Sequence, residues 1–245
     1  YGVFRMKEHD VAYNGVTEAL KAGYRAIDTA AIYQNEEAVG VAIKDSGIPR
    51  EEIFVTTKVW NSDQGFDNTL RAFETSLGKL GLEYVDLYLT HWPKPTLAET
   101  YKAIERLYEE KLIRVPGVSN HHQHHLEEVF AVANVKPMVN QFECHPSLSQ
   151  DSLRAFCAQH NIAVTAWAPL GTGIVFTHPV VKQLAEKYGK TVAQIVLRWH
   201  LEIGNIAIPK SVTPERIKEN LDVFDFTLAT DEVAAITALN TFHRT

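Results

Sequence analysis

The 245-residue chain is poor in cysteine and has no excess of basic residues. Its two cysteines, Cys144 and Cys157, make no disulfide framework. Both lie in apolar surroundings, so buried reduced thiols in a cytoplasmic protein are expected. Lys and Arg number 24 against 30 Asp and Glu, a formal charge of -6, and the pI is about 6.0. Such a chain offers no positive stripe to a phosphate backbone, which argues against a nucleic-acid partner. No apolar run reaches the ~20 residues of a membrane helix. Tyr1 to Asp10 lacks the long apolar core of a signal peptide. Internal linkers and low-complexity runs are missing, so residues 1–245 are read as one domain. The chain opens at Tyr1 without a Met and is expected to be the ordered part of something slightly longer.

What is present is an alternation of two periodicities. Val11, Gly15, Val16, Ala19 and Leu20 make an apolar helical stripe that Gly23 stops. Tyr24 to Ala30 then reads as a strand, and Asn35 as the cap of a helix running to Gly47. Ile53 to Trp60 is β-branched and aromatic, as strands prefer. Leu70, Phe73, Leu77 and Leu80 recur at three and four. The pattern repeats with strands at Tyr84–Trp92, Ile113–Asn120, Pro137–His145, Ala163–Leu170 and Asn205–Ser211. A helix follows each, and two follow the sixth and the seventh strands. That makes seven strands, with Gly2-Val3-Phe4 as the tail of an eighth.

Strands alternating with helices imply right-handed crossovers and a parallel sheet. An open dinucleotide-binding sheet would carry a glycine-rich phosphate loop after an early strand, and none is there. Polar residues able to do chemistry instead follow nearly every strand. The expected fold is therefore α/β, a (β/α)8 TIM barrel with two additional helices, whose strand ends form one rim.

The rim carries Asp28, Lys58, His91, Ser119, Asn120, Gln141, Trp167, Lys210 and Ser211, with Tyr33 in the loop after the first complete strand. Singly, each has an ordinary structural explanation: a solvated lysine, a core histidine, a strand-end amide. Together, an Asp, a Lys and a His at the mouth of an apolar barrel are costly to bury unless they pair. A phenol has an ordinary pKa near ~10. A nearby ammonium is expected to stabilise its anion, and a carboxylate to keep that ammonium charged and aimed. With a histidine on the same oxygen, the set can protonate a developing alkoxide, worth roughly 10² to 10⁴ in rate. Carbonyl reduction by a bound hydride donor fits this set better than hydrolysis, since no nucleophile or metal cluster accompanies it. After the last strand, Lys210, Ser211 and Arg216 beside a helix start make a compact anion site on an otherwise acidic protein.

The sequence resembles the aldo-keto reductases over nearly its whole length. The resemblance rests on Gly23-Tyr24-Arg25-Ala26-Ile27-Asp28-Thr29-Ala30 with Tyr33 and Asn35-Glu36-Glu37, and on Thr57-Lys58. Asp86-Leu87-Tyr88-Leu89 with His91-Trp92-Pro93, Gly117-Val118-Ser119-Asn120 and Ile208-Pro209-Lys210-Ser211 complete it. It looks closest to the branch holding 2,5-diketo-gluconate reductases, glyoxal reductases and prostaglandin F synthases. This likeness implies a catalytic tetrad of Asp28, Tyr33, Lys58 and His91, with Tyr33 as proton donor. It implies that Ser119, Asn120 and Gln141 hold the nicotinamide carboxamide of NADPH/NADP+, that Trp167 stacks on its ring, and that Leu170-Gly171 forms the pyrophosphate loop. The likeness places the cofactor's other end on residues 210–216, Val212 included, where the cations Lys210 and Arg216 suit the 2′-phosphate of NADPH, and Glu219 and Asn220 match adenine contacts. Phe4, Ala30, Trp60, Asn61 and Trp92 are expected to line an apolar substrate mouth.

Several departures accompany the likeness. The family's amino-terminal hairpin and carboxy-terminal tail fall outside residues 1–245. Pro116 stands inside a presumed central strand, where a bulge is expected because proline cannot complete the ladder. Ala168 replaces a common serine beside the cofactor, and His121 a usual Phe. His121, His122, His124 and His125 cluster without a carboxylate or thiol at ligand spacing, which reads as an exposed loop and not a metal site. The leading expectation is a monomeric NADPH-dependent reductase of aldehydes and small ketones, including dicarbonyls and keto-sugar acids. The alternatives are a cofactor-binding regulatory or redox-sensing barrel without turnover, and a barrel hydrolase or isomerase that needs no nicotinamide.

Overall fold

A computed structural model describes residues 1–245. After the opening segment Tyr1–Val3 come α1 (His9–Ala22), β1 (Ala26–Asp28), α2 (Glu36–Asp45), β2 (Phe54–Val59) and α3 (Phe66–Leu80). Next are β3 (Val85–Thr90), α4 (Leu97–Glu109), β4 (Ile113–Ser119), α5 (Gln123–Val132), β5 (Val139–Glu143) and α6 (Asp151–Gln159). The chain ends with β6 (Ala163–Trp167), α7 (Pro179–Tyr188), α8 (Val192–Glu202), β7 (Asn205–Ala207), α9 (Pro214–Leu221) and α10 (Thr230–Thr237).

The seven strands are all parallel and neighbour each other in chain order. The opening segment closes the ring. Asp28 N donates to Tyr1 O at 2.9 Å and Val3 N to Asp28 O at 3.1 Å, while Gly2 N donates to Pro209 O at 3.1 Å on the other side. The eighth stave is thus a single bridge, Gly2 to Asp28, beside β1. Ten helices surround it, two more than one per stave.

Alternation along the strands decides which residues enter the barrel. Val55 and Val59 of β2 join the large core between sheet and helices, together with Ile27, Tyr88 and Val118. The opposite parity, Leu87, Leu89 and Val139, makes a small separate apolar cluster against Val115. Asp28, Lys58 and Gln141 share that inward parity through the register Asp28–Thr56, Lys58–Leu89, Leu89–Gly117 and Gly117–Val139. One helix approach is exceptionally close: a Cβ on Gly40 of α2 would lie 2.0 Å from the Leu80 carbonyl oxygen ending α3. Only glycine fits there.

Three sequence expectations do not hold in the structure. Pro116 forms no bulge, because β4 pairs β3 in unbroken register from Leu87–Val115 to Thr90–Val118. Its carbonyl accepts from Met138 N at 2.9 Å. In a parallel strand the missing N–H points the same way, toward a stretch before β5 begins, so no ladder bond is lost. Asn35 precedes α2 but its side chain does not cap it. Asn35 instead accepts from Thr29 Oγ1 at 2.7 Å and donates to the Val3 and Met6 carbonyls at 3.0 Å. His121 is fully buried, its Nδ1 2.8 Å from Ser119 O, so the histidine run is only partly an exposed loop.

Candidate active site

The inward parity of β1 and β2 brings Asp28 and Lys58 together where both strands end. Lys58 Nζ donates to Asp28 Oδ1 at 2.6 Å and to Thr29 O at 2.8 Å. Lys58 and Asp28 are both buried, so this is an ion pair out of water. Burial alone would lower the Lys58 pKa, but the Asp28 charge and the Tyr33 oxygen outweigh it and the net direction is upward. The lysine stays charged.

Tyr33 is delivered by the short 3-10 turn Ala31–Tyr33 that follows β1. Its ring centroid lies 5.2 Å from Lys58 Nζ, 5.7 Å from the His91 ring and 5.1 Å from the Phe4 ring. Its pKa is raised: burial dominates, Lys58 opposes it and Asp28 adds to it. Lys58 thus pulls in the expected direction, toward the phenolate, and burial outweighs that pull. At neutral pH the phenol keeps its proton, which is the state a donor needs.

His91 directly follows β3 beside them, with the Trp60 ring edge-on at 5.1 Å. Burial, then the Lys58 charge, depress its pKa to about 3, so the imidazole is neutral and carries one N–H. Its Nδ1 is buried without a partner. The tautomer with hydrogen on Nε2 therefore leaves no buried donor unmet and offers an N–H to a ligand oxygen.

Around this group the ends of β4, β5 and β6 interlock. Gln141 Nε2 donates to Asp28 Oδ2 at 2.7 Å. Ser119 Oγ donates to Gln141 O at 2.8 Å. Asn120, with φ of 63°, donates to His91 O at 2.9 Å and to Ser119 Oγ at 3.1 Å, and its Oδ1 accepts from Trp167 Nε1 at 2.8 Å. Gln141 Oε1 accepts from no protein donor, and half-buried Trp167 presents an indole at the rim. One amide acceptor beside an aromatic face fits a carboxamide-bearing ring.

Farther along the rim, Gly171 opens a 3-10 turn with φ of 49° after Leu170. A Cβ there would sit 2.8 Å from the buried His145 ring, so the backbone is free to approach a ligand only as glycine. After β7, Ser211 Oγ accepts from Thr213 N at 3.1 Å, and Tyr1 Oη donates to Ser211 O. Lys210, Val212 and Arg216 are exposed at the start of α9. Neither cation is paired with a carboxylate. Two free cations at a helix start, whose first N–H groups lack intrahelical acceptors, fit a phosphate. Asn220 is buried and Glu219 accepts from Thr191 Oγ1 at 2.8 Å, so one Glu219 oxygen is already used.

Of the expected substrate residues, Phe4 and Trp92 are 55% and 41% exposed, and Trp60 and Asn61 are half-buried. Ala30 is fully buried and offers no surface. Sequence reasoning missed Gln64. Its Nε2 donates to Trp92 O at 2.7 Å and reaches Asn61 Oδ1 at 3.5 Å, tying the two loops that carry the aromatic wall. Nothing in its sequence neighbourhood marks it.

The family model described as "Aldo/keto reductase family" matches residues 5–241. The chain belongs to the aldo/keto reductase family. Among aldo/keto reductase relatives, a 9,11-endoperoxide prostaglandin H2 reductase of Trypanosoma cruzi is 52% identical over 243 residues, covering 98% of this chain and 86% of its own. A glyoxal reductase of Bacillus subtilis is also 52% identical, over 240 residues, covering 98% and 87%. The crystal structure of a Gox0644 mutant in complex with NADPH superposes with a TM-score of 0.93 at 45% identity, over 98% of this chain and 88% of that one. The curled parallel sheet and its helices are thus the TIM barrel of the aldo/keto reductases. No helix is long and apolar enough to cross a membrane.

Proposed function

We propose that this protein is an NADPH-dependent oxidoreductase that reduces aldehydes and small ketones, dicarbonyls and keto-sugar acids among them, to alcohols. The observation that carries the reading is a protonated Tyr33 held between the buried Lys58–Asp28 pair and a neutral His91. Membership of the family and the NADPH-bound relative support the cofactor.

When bound, NADPH supplies the hydride. Ser119, Asn120, Gln141 and Trp167 would hold its nicotinamide end, Leu170 and Gly171 its pyrophosphate, and Lys210, Ser211, Val212 and Arg216 its 2′-phosphate. Glu219 and Asn220 would meet the adenine. A carbonyl oxygen placed between the Tyr33 hydroxyl and the His91 Nε2–H would accept hydrogen bonds from both. As negative charge develops there, Tyr33 releases its proton to it, and Lys58 stabilises the phenolate left behind. Asp28 keeps Lys58 charged at a position buried from solvent. Phe4, Trp60, Asn61 and Trp92 form the mouth, with apolar walls that admit a small carbonyl compound and exclude solvent.

We further infer a monomer made of one barrel domain and working in the cytoplasm. Its buried free thiols Cys144 and Cys157 support a reducing compartment. The test is NADPH consumption with methylglyoxal and an aromatic aldehyde. Tyr33→Phe should lose roughly 10² to 10⁴ of turnover while binding NADPH as before. Comparable turnover in Tyr33→Phe would remove Tyr33 from its role. Tight NADPH binding without turnover on any carbonyl would favour the regulatory reading.

A further inference from the structure

Resting on the reductase reading above, we propose that Gln141 is a positioning residue for the proton-donor set. It pins the free oxygen of Asp28, and so joins the cofactor cradle mechanically to the Lys58–Tyr33 acid.

Asp28 has two carboxylate oxygens and each has one side-chain donor. Oδ1 takes Lys58 Nζ at 2.6 Å and Oδ2 takes Gln141 Nε2 at 2.7 Å. The second bond links residues 113 apart in sequence. It also links strands that are not neighbours, since β1 and β5 are separated by β2, β3 and β4 in the sheet. The Gln141 side chain therefore crosses the barrel mouth. Both partners are buried, at 4% and 2% exposure, so water does not substitute for the bond.

Gln141 is itself held rigidly, because its carbonyl accepts from Ser119 Oγ and from Asn120 N, each at 2.8 Å. An amide suits the task. It donates to the carboxylate without bringing a charge that would compete with Lys58, and it leaves Oε1 free on the cofactor side. A planar amide bonded at both ends transmits orientation: a ligand group on Oε1 and Asp28 on Nε2 are fixed relative to each other. Without the donor, Asp28 can turn about its last torsion and Lys58 moves with it, away from Tyr33. Its negative charge is also less well compensated. Since Asp28 already opposes ionisation of Tyr33, losing the donor should make the phenol harder to ionise.

Two arms test this. The first compares Gln141→Met with Ser119→Ala in the full chain, by NADPH fluorescence titration and by the pH dependence of kcat/KM. Both variants should bind NADPH more weakly. Gln141→Met should in addition lose roughly 10- to 100-fold in kcat and move the alkaline limb upward by about half to one pH unit. Ser119→Ala should leave that limb in place. The second arm needs no turnover. The Gln141 side-chain amide signal, assigned in ¹H–¹⁵N spectra by its loss in Gln141→Met, should move in cofactor-free Asp28→Asn and move again on adding NADP+. Asp28→Glu serves the same purpose if Asp28→Asn does not fold. An amide signal indifferent to the change at position 28 overturns the proposal, as does an unmoved alkaline limb in Gln141→Met. Wild type inert toward every carbonyl would sink the reductase reading alone, and the spectroscopic arm would still decide the Gln141–Asp28 link.

Discussion

Lys58 and Asp28 form an ion pair at 2.6 Å with side chains 1% and 6% exposed. A pair this deep gains little net stability over an apolar pair, because desolvation offsets the attraction. Its place at the barrel mouth accords with the proposed support of Tyr33 and not with a gain in stability. Breaking it from one side should be costly: Lys58→Met leaves a buried carboxylate without its cation and should lose about 3–5 kcal/mol. The double variant Asp28→Leu with Lys58→Met should recover most of that loss, yet remain inactive. Urea denaturation of the three proteins checks this; a double variant no more stable than the worse single one contradicts it.

Buried histidines, His145 among them, make stability fall with acid. Burial holds His91 and His121 at about 3 and His200 at about 4, below their ordinary 6.5. As pH falls from 6.5, the unfolded chain takes up protons that the native state refuses, so the folded state loses stability progressively toward pH 4. Each contributes a slope of about 1.4 kcal/mol per pH unit in that window. His121→Phe should flatten the slope by one proton. Denaturation midpoints at pH 7, 6, 5 and 4.5 provide the measurement, and an unchanged slope in His121→Phe would refute the assignment.

Gly171 carries a φ of 49° and a Cβ there would meet the His145 ring at 2.8 Å. Gly171→Ala should therefore cost about 1–3 kcal/mol and weaken NADPH, by pushing the loop away from the pyrophosphate. Thermal unfolding and fluorescence titration read the two effects separately. Full affinity with lost stability would place Gly171 outside the cofactor site.

Arg216 and Lys210 are exposed cations without carboxylate partners. Arg216→Ala should weaken NADPH roughly tenfold or more, the size of a lost charge-assisted hydrogen bond, and leave NADH almost unaffected. Equal losses for both nucleotides would count against a 2′-phosphate site.

Much of the fold follows from local pattern. The two periodicities expose the helices and all seven strands, and the polar residues that end those strands mark the rim. Asp28, Tyr33, Lys58 and His91 stand out because charge and phenol follow apolar runs. Exceptions arise where a contact lies far away in sequence. Asn35 looks like a helix cap, yet its amide is claimed by Thr29, Val3 and Met6. His121 sits in a polar run that suggests solvent, but the chain turns it under β4. Pro116 reads as a ladder defect, and only the late start of β5 makes it harmless.

The sequence by itself determined the alternation, the parallel barrel and the residues gathered at its mouth, because side-chain parity and strand ends are local properties. Only the tertiary structure decided how those residues act on one another. Burial outweighs Lys58 at Tyr33, so the phenol stays protonated. His91 stays neutral. The carboxylate behind the lysine is held from across the barrel by Gln141. These outcomes depend on distance and on water excluded by closure of the ring, and neither quantity is written in any stretch of the chain.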